Sequence, residues 1–177
     1  MSNTLATSPQ TMADDATVGT VAWTDPDNAK VSDDVYAYAS GSGITSHYLK
    51  ATNFGFAIPT GAIISGILIE VEKYAAGATT DIKDSAIKIV KADGSIGTTN
   101  KANTTTQWPT TEAYISHGSS TDLWGEIWTA ENINDADFGL VISTIHGAVG
   151  NKQYANVDHI RITVYYTETG GNFFQLF

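Results

Sequence analysis

An all-β fold, a single β-sandwich of jelly-roll type, is what this sequence of 177 residues predicts. Three observations carry that expectation. Several stretches alternate apolar and polar residues with the period of a strand, turn-forming residues separate them at short intervals, and the helical period is nearly absent. The length suits one domain, expected over residues 18–168, with a flexible N-terminal arm at 1–17 and a hinge and apolar peptide at 169–177.

The elements follow in order. Residues 1–17 are rich in Ser, Thr and Ala without usable periodicity, which predicts a mobile arm. They show neither the basic nor the apolar region of an export signal, so synthesis in the cytoplasm is expected. A short strand is expected around 21–23, and further strands at 34–40 and 48–56, the first of these two ending at Gly41-Ser42-Gly43. In 63–74, Ile67, Ile69 and Val71 take one face and Glu70 and Glu72 the other, with Gly66 marking a bulge. Strands at 85–91, 112–117 and 138–145 are short and rich in β-branched or aromatic residues, with turns at Asp93-Gly94 and Gly147. In 157–167, Ile160, Ile162, Val164 and Tyr166 alternate with His159, Arg161, Thr163 and Tyr165, the mark of a half-buried strand. About eight antiparallel strands result, a number that suits a two-sheet sandwich. Residues 98–109 read as a long surface loop, and 129–134 as one helical turn capped by Thr129.

Composition excludes several functions. Nine Lys and Arg against nineteen Asp and Glu leave a formal charge of -10, which repels a phosphate backbone, so no nucleic-acid partner is expected. No apolar run is long enough for a transmembrane helix, and no membrane partner is expected. Without cysteine there are no disulfides, thiolate metal sites or cysteine nucleophiles. The Gly-x-Ser-x-Gly nucleophile elbow and both glycine-rich phosphate fingerprints are missing, and no cofactor is expected. His47, His117, His146 and His159 lack a local metal-binding spacing and read as exposed strand or turn residues.

Three groups of residues remain as candidates for binding. Asp25, Asp27, Asp33 and Asp34 put several hard oxygen ligands within ten residues, a possible calcium loop, although Asp and Asn also cap turns by themselves. Glu126 lies between Trp124 and Trp128, and with Trp108 and Tyr114 these aromatics are candidates for stacking on a glycan; the competing reading is sheet packing. The chain closes with Phe173, Phe174, Leu176 and Phe177 after Gly170-Gly171. That peptide would lose free energy in water unless it docks on a partner or on its own domain.

Several segments together resemble a group of tailed-phage virion structural proteins. They are Trp23-Thr-Asp-Pro-Asp-Asn-Ala29 with Asp33-Asp34-Val-Tyr-Ala37, Phe54-Gly-Phe-Ala-Ile-Pro-Thr-Gly-Ala62 running into Ile64-Ser-Gly-Ile67, Leu123-Trp-Gly125, Trp128-Thr129, Ile133-Asn134, Phe138-Gly139, and Val157-Asp-His-Ile-Arg-Ile-Thr-Val-Tyr-Tyr166. The resemblance spans most of residues 20–167, and each motif is weak alone while their order is specific. It implies a non-enzymatic β-sandwich located in the virion and assembled in the host cytoplasm, most simply a capsid decoration or cement protein held by its terminal arms. Its implied partners are the major capsid protein or other virion subunits and copies of itself, a homo-oligomer such as a trimer. It carries no catalytic residue across to this chain. A carbohydrate-binding β-sandwich module in a tail or fibre position, recognising host surface glycans, is the alternative.

Overall fold

The computed structural model describes residues 2–168. Ten strands build two antiparallel sheets: β1 (Ser2–Asn3), β2 (Thr11–Asp15), β3 (Ala37–Gly41), β4 (Ile44–Thr45), β5 (Tyr48–Thr52), β6 (Ile63–Ala76), β7 (Ile82–Val90), β8 (Ala113–Ser119), β9 (Gly139–His146) and β10 (Gln153–Thr167). In the first sheet β6 lies between β8 and β10, and β3 and β1 follow one another along the far edge of β10. In the second, β9 lies between β7 and the pair β5 and β4, and β2 closes the edge on β5. From β5 onward each strand crosses to the opposite sheet. That alternation is the winding of a jelly roll, and the fold is the all-β sandwich the sequence predicts.

The period-two pattern works as expected at the centre. Ile67, Ile69 and Val71 of β6 and Ile160, Ile162 and Val164 of β10 are fully buried in one core with Leu49, Ile87, Leu140 and Ile142 of the second sheet. Each such side chain contributes roughly 1.5–3 kcal/mol by leaving water. Gly66 sits at a break in the β6–β10 register, as the bulge predicted, and a Cβ there would stand 2.2 Å from the Ser120 carbonyl carbon. The helical turn also forms, as α1 (Ala130–Asn134). Thr129 Oγ1 accepts from Asn132 N at 3.2 Å, and Asn132 Oδ1 accepts from Thr129 N at 3.1 Å.

Three expectations are corrected. Residues 2–15 are not a free arm: β1 and β2 pair with opposite sheets, Thr7 bridges Ile162, and Met12 is buried. Residues 21–23 form only isolated bridges, Val21 to Ser46 and, just beyond, Thr24 to Tyr38. The loop at 98–109 is irregular but lies along the open edge of β7. Lys101 N donates to Ile87 O at 2.9 Å and Trp108 N to Ile82 O at 2.7 Å, so the loop covers an edge that would otherwise invite pairing.

Register defines two ends of the sandwich. Ser2 pairs with Tyr166 and Ile63 with Thr167 at the near end, while Tyr154 pairs with Ala76 and Ser40 at the far end. The loop after β8 and the turn after β7 also belong to the near end, since Ser119 pairs with Ile67 and Val90 with Gly139.

Candidate functional site

The tryptophans are structural. Trp124 is 1 % exposed and donates from Nε1 to Ile67 O at 3.0 Å; Trp128 lies edge-on to Phe138 and donates to Leu123 O at 2.9 Å. Trp108, also buried, donates to Asp84 Oδ1 at 2.7 Å. Their ring faces and N–H groups are spent inside the domain, so the expected glycan platform of Trp108, Trp124 and Trp128 does not form. Tyr114 is half-buried on the outer face of the first sheet. Arg161 stacks on its ring with the guanidinium carbon 3.9 Å from the centroid, and Glu70 holds Arg161 by two bonds of 2.9 and 3.0 Å. Its hydroxyl meets His159 Nδ1 at 2.8 Å, and His159 Nε2 meets Ser8 Oγ at 2.8 Å.

Three of the four histidines are buried, against expectation: His117, His146 and His159. His117 stands opposite the inward-facing Ile69, and His159 is enclosed by Ser8, Tyr114 and the Lys30 segment that bridges it. Burial lowers the pKa of all three, and for His117 the nearby Lys73 adds to it. They are neutral imidazoles at neutral pH.

The four aspartates proposed as calcium ligands do not converge. Asp27 pairs with Lys30 at 2.7 Å, Asp33 Oδ1 caps Val35 N at 3.2 Å, and Asp25 turns the chain in the left-handed region at φ 48°. Asp34 instead meets Glu112 and Asp158 from other elements, each offering a carboxylate oxygen within 4.8 Å of the others. Among the described residues, these three are the set with the chemistry to hold a hard cation. Burial and then neighbouring carboxylates raise the pKa of Glu112, with Asp158 the first of those neighbours; burial, offset by backbone N–H groups, also raises Asp158. Tyr36 donates to Glu112 Oε2 at 3.4 Å. The sequence hides this grouping because Glu112 and Asp158 are separated from Asp34 by most of the chain and meet only through sheet order.

Glu126 lies at the near end in a pocket of about 410 Å³ with Lys91, Asp93, Ile127, Asn132 and Trp128. Ile127 is 92 % exposed there. Leu5, at 87 %, and Ile63, at 62 %, are also exposed on strands and turns of this end. The docking peptide of Phe173, Phe174, Leu176 and Phe177 lies outside the described residues.

No family model matches the chain, and no curated protein matches it. Among solved structures it is similar to the CBM22-1 xylan-binding domain of Paenibacillus barcinonensis Xyn10C, at 10 % identity and a TM-score of 0.42, over 94 % of this chain and 95 % of that one.

Proposed function

We propose that this chain is a non-enzymatic structural protein of a tailed-phage particle, a capsid decoration or cement subunit fixed by one end of its sandwich. The observation that carries the reading is the asymmetry of the two ends. Ile127, Leu5 and Ile63, the three most exposed large hydrophobics among the described residues, stand at the near end, where β10 also ends. Apolar surface gathered on one end is suited to docking on another protein. The motifs that carry the phage resemblance support the fold part of this reading, since Trp23, Phe54, Phe56, Trp124, Trp128 and Phe138 are all core residues. A reconstruction of particles by electron cryomicroscopy tests it: density for the sandwich with its near end against the shell is the expected result. Absence of the domain from the particle overturns it.

A second reading has one observation in its favour. The near-end pocket brings Asp93, Glu126, Lys91 and Asn132 together beside the buried Trp128, and such side chains hydrogen-bond sugar hydroxyls. A carbohydrate-binding module would therefore use Glu126 rather than the buried tryptophan faces. Glycan-array binding that is lost in Glu126→Ala, with the melting temperature unchanged, is the outcome that favours it.

A further inference from the structure

The inward face of β6 runs Ile67, Ile69, Val71, Lys73 and Ala75, so a lysine occupies a core position. The inward face of β7 likewise places Asp84 between Ile82 and Ile87. Both residues are 1 % exposed, and Lys73 Nζ lies 2.5 Å from Asp84 Oδ1, joining the two sheets. Three further groups surround the carboxylate. Trp108 Nε1–H donates to Oδ1 at 2.7 Å, Asn103 N–H donates to Oδ2 at 3.1 Å, and His117 Nε2 lies 3.9 Å from Oδ2. His117 Nδ1 faces Lys101 O at 3.0 Å, while its Nε2 is buried without a hydrogen-bond partner. A cavity of about 130 Å³ borders Lys73, Asp84 and Trp108, room enough for a water molecule.

A buried ion pair in a dry site is poorly stabilised, because both charges lose their hydration. We propose that Lys73 and Asp84 condense to an intramolecular isopeptide bond that ties the two sheets together. Nζ gives up one proton, which comes to rest on Oδ2, leaving a neutral amine against a carboxylic acid whose carbonyl oxygen is Oδ1, the form favoured by low dielectric; burial lowers the pKa of Lys73 although Asp84 opposes it. Nζ attacks Cγ and the Nζ–Cγ bond forms, while Trp108 Nε1–H holds the oxyanion that develops on Oδ1. His117 Nε2 takes the proton released by Nζ and delivers it to Oδ2, the Cγ–Oδ2 bond breaks, and water leaves into the cavity. The balance is an ammonium and a carboxylate giving an amide and one water, with no oxidant and no cofactor. The inference is independent of where the protein acts.

Intact mass spectrometry of the denatured full chain tests it. The expected mass is one water below that of the sequence, and a tryptic digest yields a branched peptide joining residues 51–83 to 84–88, uncut after the blocked Lys73. Lys73→Met restores the full expected mass of that variant. A wild-type chain at full sequence mass overturns the proposal. So does a water loss that maps elsewhere, for instance to a succinimide at Asp93-Gly94, which gives no branched peptide. The wild-type peptide map decides the matter even if Lys73→Met fails to fold.

Discussion

Trp124 shows how a residue suited to recognition is claimed by the fold. It takes φ 57°, a strained backbone for a large side chain, between Asp122 Oδ1, which caps its N–H at 2.9 Å, and Ile67 O, which receives its indole. Truncation to Ala leaves a large cavity and an unpaired carbonyl, and is expected to cost about 3–5 kcal/mol in urea unfolding. A variant as stable as the parent would show the ring to be dispensable. The histidines carry the pH dependence. An unfolded imidazole binds its proton near pH 6.5, whereas the burial that lowers the pKa of His117, His146 and His159 keeps them neutral in the native state to lower pH. The unfolded chain therefore takes up more protons as pH falls through 6.5, and stability present above that range is lost below it, by up to about 1.4 kcal/mol per pH unit for each group. Glu112 and Asp158, whose pKa values burial raises, act in the opposite sense, since they take up protons in the native state before the unfolded chain does. The melting temperature is expected to fall between pH 7.5 and 5.5, with a shallower slope in His146→Gln; a flat profile would contradict the burial.

At the scale of elements, the strongest departure from the sequence reading is the N-terminal segment, and its cause is specific. Residues 11–15 have little alternation to betray a strand, but Met12 fills a core position and Asp14 bonds both Trp23 N and His47 Nδ1 at 2.8 Å. Removing residues 2–15 strips an edge from each sheet. The loss of Met12 burial and these bonds is on the order of 4 kcal/mol, a melting-temperature drop of roughly 10 °C for a domain of this size. An unchanged melting curve would restore the free-arm description. The long strands were legible because their two faces differ: β6 and β10 alternate cleanly, and Gly66 announced its bulge. Lys73 and Asp84 were legible in principle by the same alternation, which assigns both to inward faces, but the strand expected at 85–91 begins too late to include Asp84. The Asp34, Glu112 and Asp158 grouping could not be read from local spacing, because only the order of strands brings those three together.

For the whole molecule, jelly-roll winding sets β1, the start of β6, the loop after β8 and the exit of β10 at one end, the end that the proposed function places against a partner. A net charge of -10 gives long-range repulsion against any acidic surface, so the proposed attachment would rest on local apolar contact. Ile127 is the most exposed of the large hydrophobics at the near end, and Ile145, 46 % exposed, serves as its far-end counterpart on β9 beside the Ile44 turn. Docking would bury Ile127 for about 1.5–3 kcal/mol, and a glutamate in its place loses that and introduces a charge needing desolvation. Since each 1.4 kcal/mol is tenfold in affinity, Ile127→Glu is expected to weaken binding to particles lacking the protein by at least about tenfold. Exposed substitutions away from caps and buried networks leave stability within about 0.5 kcal/mol, so both Ile127→Glu and Ile145→Glu should melt like the parent. Co-sedimentation of each labelled variant with such particles then separates the ends: loss with Ile127→Glu and retention with Ile145→Glu place the contact at the near end. The reverse pattern would turn the molecule around and leave the near-end pocket at Glu126 facing outward, where the glycan reading would gain it as a binding site.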